Sequence, residues 1–450
     1  MRMNEPPEHP EARPRGAEHE RAGTPEASPG GFVPPPYPYA RLRRLAAVAA
    51  SHEGGVVDLS VGTPCDPPPA SVVDALSSSG TERGYPSSVG SEAFREAARR
   101  WIGRRFGVNV EAEDIGACVG TKELVASTAW YLRLRRPGRD TVIAPSVAYP
   151  TYAMGARLAG CEVFEVPEAR GGGVDLRSVP DQVAGRAVLV WLNSPSNPTG
   201  SLTDLAAAAH WGRAHDVPVF SDECYCEFTW HAARSTILQA GTEGVMAVHS
   251  LSKRSNMAGT RVGFFAGDHE IVGYLSAVRQ HAGLMVAGPV QAAAVVALED
   301  DEHVDVQRER YLRRLEKLAA ILRGCGLDVA MPAGGFYLWV PVPSWAARHV
   351  SAGRESGAWV LTEALARAGG ALVSPGDFYG TSSGGWVRVA AVQPDVRIDL
   401  VAERLAGSDQ STLAAAVQGD AGVESPGDSD PNVGLQGGMS EPASGPRVAL

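Results

Sequence analysis

The sequence lacks several features that define secreted, membrane or nucleic-acid-binding proteins. Its six cysteines form no C-x-x-C pair, so neither a zinc site nor a disulfide framework is predicted, and the thiols are expected to be reduced. No apolar run reaches the ~18 residues of a membrane span, and the N-terminus shows no apolar signal sequence. The basic residues form no block, which argues against nucleic acid as a partner. We therefore expect a soluble, cytoplasmic protein without a metal site.

The two ends of the 450-residue chain differ in composition from its middle. Residues 1–31 and 407–450 are rich in Gly, Pro, Ser and acidic residues and have no hydrophobic periodicity, so both are predicted to be disordered tails. Six acidic residues stand against four basic ones in the first segment, and six against one in the second. Most of the formal charge of −10 therefore lies at the ends, and the middle of the chain is nearly neutral.

Between these ends, short apolar runs alternate with helical patterns. Helices are predicted at Ser91–Phe106, Glu123–Arg136 and Asp204–His215. The predicted strands of this region are Ala117–Val119, Thr141–Ala144, Glu162–Val166, Ala187–Leu192, Val217–Ser221, Val245–Ser250 and Arg261–Ala266. Alternation of this kind predicts a mainly parallel sheet covered by helices on both faces, that is, an α/β fold.

The pattern changes after Pro289. A long charged helix at about His303–Cys325 is followed by short predicted strands near Gly335–Val342, Ala371–Ser374 and Gly385–Ala390, which indicates a smaller α+β unit. We therefore predict a large domain over residues 62–289 and a small C-terminal domain over residues 290–406. Residues 32–61, which include the helical-looking Tyr39–Ala50, are predicted to form an N-terminal arm and part of the small domain.

Three polar segments follow predicted strands of the large domain. The first contains Lys253, the second contains Asp222 and Tyr225, and the third reads Asn197-Pro-Thr-Gly200. Each is weak evidence alone: a lysine at a strand end is usually solvated, an Asp there is commonly a turn or cap residue, and Asn-Pro-Thr-Gly forms ordinary turns. Since ligands of α/β sheets gather at the carboxyl ends of the strands, the three segments together indicate one site.

Taken together and in this order, the three segments resemble the class I/II aminotransferases of pyridoxal-phosphate (PLP) fold type I. The resemblance covers residues 32–406. It implies PLP as cofactor and a mainly parallel seven-stranded sheet in the large domain. It also implies that Lys253 binds the cofactor covalently and moves a proton, that Asp222 pairs with the pyridine nitrogen, and that Asn197 and Tyr225 bind the phenolic oxygen.

The resemblance implies further cofactor contacts at the phosphate. Ser250 and Arg261, three residues before and eight after the lysine, match the family's phosphate ligands. Gly120, Thr121 and Lys122 end a predicted strand and open a helix, whose first N–H groups and positive dipole end suit the same phosphate. The alternative for Thr121 is an ordinary helix cap.

Other residues match the family at the substrate and at the subunit interface. Arg388 resembles the arginine that binds the substrate α-carboxylate, for which its planar fork is suited, and Gly62 and Asn197 match substrate-contacting positions. Tyr85 resembles a tyrosine that reaches the phosphate of the neighbouring subunit, which implies a homodimer. Tyr149 is the candidate for the ring that stacks on the cofactor.

The residues around these motifs narrow the range of predicted substrates. The segments around Tyr149, Asp222 and Lys253 resemble actinobacterial succinyldiaminopimelate transaminases, which exchange an amino group between glutamate and N-succinyl-2-amino-6-oxopimelate in lysine biosynthesis. At position 260, where this resemblance leads us to expect an aromatic residue, the chain has Thr260. A bulky dianionic substrate needs a second cation, for which the candidates are Lys122, Arg254 and Arg279.

Other functions remain open on the sequence. On the same scaffold these are an aspartate or aromatic aminotransferase or a carbon–sulfur lyase. A non-catalytic PLP-sensing module would need a DNA-binding domain, which residues 1–31 are too short and acidic to supply.

Overall fold

The computed structural model describes residues 32–35, 38–169, 172–348, 350 and 356–418 of the chain. The strands in these ranges are β1 (Val57–Asp58), β2 (Ile115–Cys118), β3 (Thr141–Pro145), β4 (Glu162–Val166), β5 (Ala187–Asn193), β6 (Val219–Asp222), β7 (Val245–Ser250), β8 (Gly263–Gly267), β9 (Tyr337–Pro341), β10 (Ala371–Leu372), β11 (Ser374–Pro375) and β12 (Trp386–Ala390). The helices are α1 (Arg43–Ala50), α2 (Ala70–Ser78), α3 (Glu92–Phe106), α4 (Thr121–Arg135), α5 (Thr151–Leu158), α6 (Asp181–Arg186), α7 (Leu205–Ala214), α8 (Leu251–Arg254), α9 (His269–His281), α10 (Gly288–Glu299), α11 (Glu302–Gly324), α12 (Ser344–Arg348), α13 (Gly357–Gly369), α14 (Asp395–Arg404) and α15 (Gln410–Gln418).

A seven-stranded sheet forms the centre of the fold, with strand order β2-β8-β7-β6-β5-β3-β4. All its pairings are parallel except those of β8, which runs antiparallel to both β2 and β7. Every residue of β5, β6 and β7 is buried, as expected for strands covered on both faces. The prediction of an α/β fold with a mainly parallel seven-stranded sheet is confirmed.

Three adjacent strands place polar residues at one edge of this sheet. Strands β5, β6 and β7 are neighbours and run in the same direction, so their carboxyl ends lie side by side. They end at Asn193, Asp222 and Ser250, and α8 begins immediately after Ser250. The side chains that follow the apolar strands therefore converge on one region, where ligands of open α/β sheets bind.

The C-terminal part of the chain forms a separate antiparallel sheet of order β11-β12-β9, which packs with α11, α13 and α14. The N-terminal residues join this part: β1 pairs in parallel with β10, and α1 packs on α13. The predicted strand Ala371–Ser374 is two strands, because Ala371–Leu372 pairs with β1 whereas Ser374–Pro375 pairs with β12.

The prediction that the chain is disordered from residue 407 onwards is wrong for its first part. Residues Gln410–Gln418 form α15, which packs on α13. Leu413 and Val417, one helical turn apart, are buried in the core of the C-terminal part, and Gln410 Nε2 donates to the carbonyl oxygen of Gly326 at 2.5 Å. Apolar residues at this spacing form the buried face of a short surface helix. The predictions for residues 1–31 and 419–450 lie outside the described residues.

All six cysteines are free thiols, four of them buried. Among the described residues, no helix combines the length and apolar character that crossing a membrane requires.

Candidate active site

A cavity of about 820 Å³ lies at the carboxyl ends of β5, β6 and β7, between the large sheet and the C-terminal part. Its size suits a cofactor together with a small substrate. Most of the predicted site residues line it: Gly62, Thr121, Lys122, Tyr149, Asn197, Asp222, Tyr225, Ser250, Lys253, Arg261 and Arg388. Residues from distant parts of the sequence thus meet in one place.

Lys253 lies in the four-residue helix α8, and its side chain enters the cavity. Lys253 Nζ donates to the carbonyl oxygen of Gly62 at 2.6 Å. Burial lowers the pKa of Lys253 to about 8, and the positive charges of Arg388 and Arg261 act in the same direction, against the negative charge of Asp222. About one tenth of this amine is therefore neutral at pH 7, whereas an ordinary lysine is almost fully charged, and a neutral amine is required of a nucleophile and proton acceptor.

Asp222 ends β6, and both of its carboxylate oxygens accept hydrogen bonds. Tyr152 Oη donates to Oδ2 at 2.9 Å, and Cys224 donates to Oδ1 through its backbone N–H at 3.2 Å and its thiol at 2.6 Å. Burial raises the pKa of Asp222, although these donors and Lys253 oppose the shift. A buried carboxylate of this kind favours a protonated, positively charged nitrogen as its partner.

The side chain of Asn193 joins two of the predicted segments. Its Nδ2 donates to the carbonyl oxygen of Asp222 at 2.8 Å, and its Oδ1 accepts from the backbone N–H of Asn197 at 2.7 Å. This amide fixes the position of the Asn-Pro-Thr-Gly turn relative to the end of β6. Asn193 and Tyr152 both line the cavity but were not predicted.

Arg388 of β12 is buried, and its guanidinium lies between two aromatic rings. Its Cζ is 4.2 Å from the ring centroid of Tyr337 and 4.9 Å from that of Tyr379. Nη1 donates to Asn197 Oδ1 at 2.8 Å, and Nη2 donates to the carbonyl oxygen of Ser60 at 2.5 Å. Nε has no hydrogen-bond partner among the described residues. The hydrogen bonds of this guanidinium go to neutral oxygens, so an external carboxylate would complete its charge pairing.

Tyr225 and Tyr337 lie beside Arg388. Their hydroxyls are 3.0 Å apart, and burial raises the pKa of both phenols, so both carry their protons at neutral pH. Tyr225 was predicted from its position three residues after Asp222. Tyr337, on the C-terminal sheet, was not.

A group of residues that suits an anion also lines the cavity. Gly120 precedes α4 with a positive φ of 75°, and a Cβ at this position would overlap the guanidinium of Arg261. The first turn of α4, with Thr121 and Lys122, faces the same cavity as Arg261. Ser250 caps α8, since its Oγ accepts from the N–H of Ser252 at 3.2 Å. Helix N-termini together with a guanidinium suit a phosphate.

Helix α4 begins at Thr121, two residues earlier than predicted. Thr121 is thus the first helical residue and not the cap, and Gly120 is the N-cap. The first-turn N–H groups are therefore those of the predicted Gly-Thr-Lys segment itself.

The remaining predicted cofactor contacts have different outcomes. Tyr149 lines the cavity, with its ring centroid 6.0 Å from that of Tyr152. Val147, two residues before Tyr149, lines a neighbouring small cavity instead. Tyr85 is 98% exposed and contributes nothing to the cavity of its own chain.

Two of the three candidates for a second substrate-binding cation are wrong. Arg254 is buried outside the cavity, where it donates to the carbonyl oxygen of Ala297 at 2.6 Å and pairs with Glu227 and Asp301. Arg279 is buried against Glu123, with its Nη1 2.6 Å from Oε1. Both are bound by acidic groups of the fold, so only Lys122 of the three lines the cavity.

The donor set fits PLP, which has an aldehyde, a pyridine nitrogen, a phenolic oxygen and a phosphate. An amine, a buried carboxylate, a pair of phenols with an amide, and an anion site occur in one cavity. The glycine at position 120 leaves room where any side chain would collide with Arg261. These residues match the four groups of the cofactor one by one.

The comparison with known families agrees with this chemistry. The model of the family "Aminotransferase class I and II" matches residues 54–405. The chain belongs to this family. It is therefore a PLP-dependent aminotransferase of the class I and II type, and pyridoxal 5′-phosphate is its cofactor.

Individual relatives cover most of this aminotransferase. A probable aminotransferase of Mycobacterium tuberculosis is 40% identical, over 82% of this chain and 85% of its own length. The 4-dedimethylamino-4-oxo-anhydrotetracycline transaminase OxyQ of Streptomyces rimosus is also 40% identical, over 82% of this chain and 99% of its own. The solved structure of a probable N-succinyldiaminopimelate aminotransferase of Thermus thermophilus is 28% identical, with a TM-score of 0.72, covering 84% of this chain and 100% of that one.

Proposed function

We propose that this aminotransferase exchanges an amino group between glutamate and N-succinyl-2-amino-6-oxopimelate, a reaction of diaminopimelate and lysine biosynthesis. The observation that carries the proposal is the buried guanidinium of Arg388, which faces the same cavity as Lys253. A carboxylate bound there would present the adjacent carbon to the lysine amine. The resemblance of the Tyr149, Asp222 and Lys253 segments to succinyldiaminopimelate transaminases and the likeness to the Thermus structure support this substrate class.

Lys253 carries the chemical step in this proposal. Its amine would hold the cofactor covalently and, once freed by the substrate amine, would take the proton from the substrate Cα and return it on the other side of the substrate nitrogen, on the cofactor carbon. The lowered pKa of about 8 favours this double use, because the amine then accepts and releases a proton near physiological pH. PLP, when bound, supplies the electron sink that stabilises negative charge at Cα.

The other residues hold the reacting groups in place. Asp222, with its donors Tyr152 and Cys224, keeps a positive charge on the pyridine nitrogen favourable. Asn197 and Tyr225 donate to the phenolic oxygen. Arg388 binds the α-carboxylate and thereby orients Cα towards Lys253, so that amino donor and oxo-acid acceptor use one site in alternation, as in a ping-pong mechanism.

A second acceptor class is favoured by one specific observation. OxyQ, named as a transaminase of an oxo-anhydrotetracycline, matches this chain over 99% of its length. Of the three candidates for a second substrate-binding cation, only Lys122 lines the described cavity. A succinylated acceptor has distal negative groups that need such cations, whereas a neutral ketone does not. A bulky ketone on a polycyclic ring is therefore the alternative acceptor.

A panel of acceptors separates the candidates. Holoenzyme is incubated with glutamate and with N-succinyl-2-amino-6-oxopimelate, oxaloacetate, phenylpyruvate or 4-dedimethylamino-4-oxo-anhydrotetracycline, and 2-oxoglutarate formation is measured. The proposal predicts the highest kcat/KM for the succinylated oxo-acid. A preference for oxaloacetate or phenylpyruvate would make the chain an aspartate or aromatic aminotransferase. Pyruvate release from cystathionine without amino transfer would make it a carbon–sulfur lyase, and absence of all turnover would favour a PLP-sensing module.

We further propose a homodimer in which Tyr85 of each subunit reaches the phosphate in the other. The 98% exposure of Tyr85 in the single chain suits a side chain that serves a neighbouring subunit. Mixing Tyr85→Phe and Lys253→Ala protomers tests this. Heterodimers should recover one intact site, and activity should exceed that of both parents. A fully active monomer in sedimentation would contradict the proposal.

A further inference from the structure

The N-terminal arm places a tyrosine on the substrate arginine. Tyr39 lies in a 3-10 turn, Pro38–Leu42, directly before α1. Its half-buried side chain lines the same cavity as Lys253, although no sequence motif marks it. Arg388 Nη2 donates to Tyr39 Oη at 3.3 Å, and Tyr39 Oη is 3.0 Å from Tyr379 Oη.

The surroundings of Tyr39 Oη define its orientation. Its oxygen accepts from the guanidinium, so its own proton is directed away from Arg388. The ring of Tyr39 packs against Phe378, with centroids 5.2 Å apart at 60°, and the hydroxyl of Tyr379 is its other neighbour. The phenol thus contacts Arg388, Phe378 and Tyr379, and Tyr39 forms part of the cavity wall.

We propose that Tyr39 is a substrate-binding residue whose hydroxyl donates a hydrogen bond to the carboxylate held by Arg388. The inference rests on the proposed role of Arg388 and is independent of which acceptor the enzyme uses. A carboxylate that accepts the Nη2 hydrogen now donated to Tyr39 Oη would lie next to this hydroxyl and within reach of its proton. It then accepts from a cation and a neutral donor together. Loss of a hydrogen bond to a charged group weakens binding by about 10- to 100-fold.

A purely structural role for Tyr39 predicts different behaviour. In that case the residue only attaches the arm, as Arg41 does by placing its guanidinium carbon 4.7 Å from the ring centroid of Trp359. Tyr39→Phe keeps the ring and its packing on Phe378 but removes the donor. Arg41→Met weakens the arm without touching the cavity, so it is the matched control.

The probe is 2-aminoisobutyrate, which has an α-carboxylate but neither a Cα hydrogen nor a distal group. Its dissociation constant is measured by titration of the visible absorbance of holoenzyme. Tyr39→Phe should raise this constant about tenfold or more, while cofactor content and melting temperature stay at wild-type values and Arg41→Met binds the probe normally. An unchanged constant in Tyr39→Phe, or equal rises in Tyr39→Phe and Arg41→Met, would overturn the proposal.

Arg388→Lys separates this inference from the proposed function. If Arg388→Lys leaves binding of 2-aminoisobutyrate unchanged, Arg388 does not bind the substrate carboxylate, and the proposed role of Tyr39 is refuted as well. If Arg388→Lys weakens binding and Tyr39→Phe does not, only the role of Tyr39 is refuted.

Discussion

Replacement of Leu413 by alanine tests whether α15 is an integral part of the fold. Leu413 is fully buried, with no exposed surface, against the core that includes α13. The substitution removes three carbon atoms, each worth about 0.8 kcal/mol of transfer free energy, so about 2.4 kcal/mol is lost before any cavity forms. Partial collapse of a short helix at the edge of the core keeps the cavity contribution small, and the expected total loss is about 3 kcal/mol.

The assay is urea unfolding of the apoenzyme followed by tryptophan fluorescence. Leu134→Ala is the matched control, because Leu134 is 61% exposed on α4 and the same change there should cost less than about 0.5 kcal/mol. Truncation after Gly407 should destabilise at least as much as Leu413→Ala. Equal midpoints for Leu413→Ala and Leu134→Ala would refute the packing of α15 and restore the prediction that residues 407–450 are disordered.

Three further substitutions test the site and its surroundings. Tyr152→Phe removes the hydrogen-bond donor to Asp222 Oδ2, and equilibrium titration should show PLP affinity reduced about tenfold. An unchanged PLP affinity would show that the Tyr152 hydroxyl does not help Asp222 to bind the cofactor. Burial raises the pKa of Glu223 to about 8, so its contribution to stability, present below pH 4.5, is lost as pH rises to 8. Glu223→Gln should therefore gain stability relative to wild type across this range in urea unfolding, and a pH-independent difference would contradict the buried acid. Arg388→Lys should raise KM for carboxylate substrates at least tenfold because the ammonium cannot pair with both oxygens, and an unchanged KM would disprove carboxylate binding there.

The sequence predicted the central site because its residues obey a local rule. Asp222, Lys253 and Asn197 each follow a run of apolar residues that forms a buried parallel strand, and the ends of such strands meet. Asn193 obeys the same rule at the end of β5 and could have been included on that signal. The strands of the large sheet were predicted to within a few residues for the same reason, since β5 and β7 are buried along their whole length.

Other site residues carry no local signal. Tyr152 lies inside α5 and reaches the cavity because this helix packs on the large sheet. Tyr337, on the C-terminal sheet, and Tyr39, far from every motif, reach the cavity only through the packing of the two parts of the chain. The wrong predictions for the substrate-binding cations Arg254 and Arg279 have the same cause, because the sequence does not show which way these side chains point. Arg254 directly follows Lys253 in sequence, yet its helical position turns it towards Glu227 and away from the cavity.

The covalent attachment of PLP to Lys253 is directly measurable because the chain has few lysines. The sequence contains three lysines, Lys122, Lys253 and Lys317. Borohydride reduction of the holoenzyme fixes the cofactor on the lysine that holds it, and peptide mass spectrometry locates the label. We expect a pyridoxyl phosphate group on Lys253 and abolished transamination in Lys253→Ala. A label on Lys122 or Lys317, or undiminished turnover in Lys253→Ala, would contradict it.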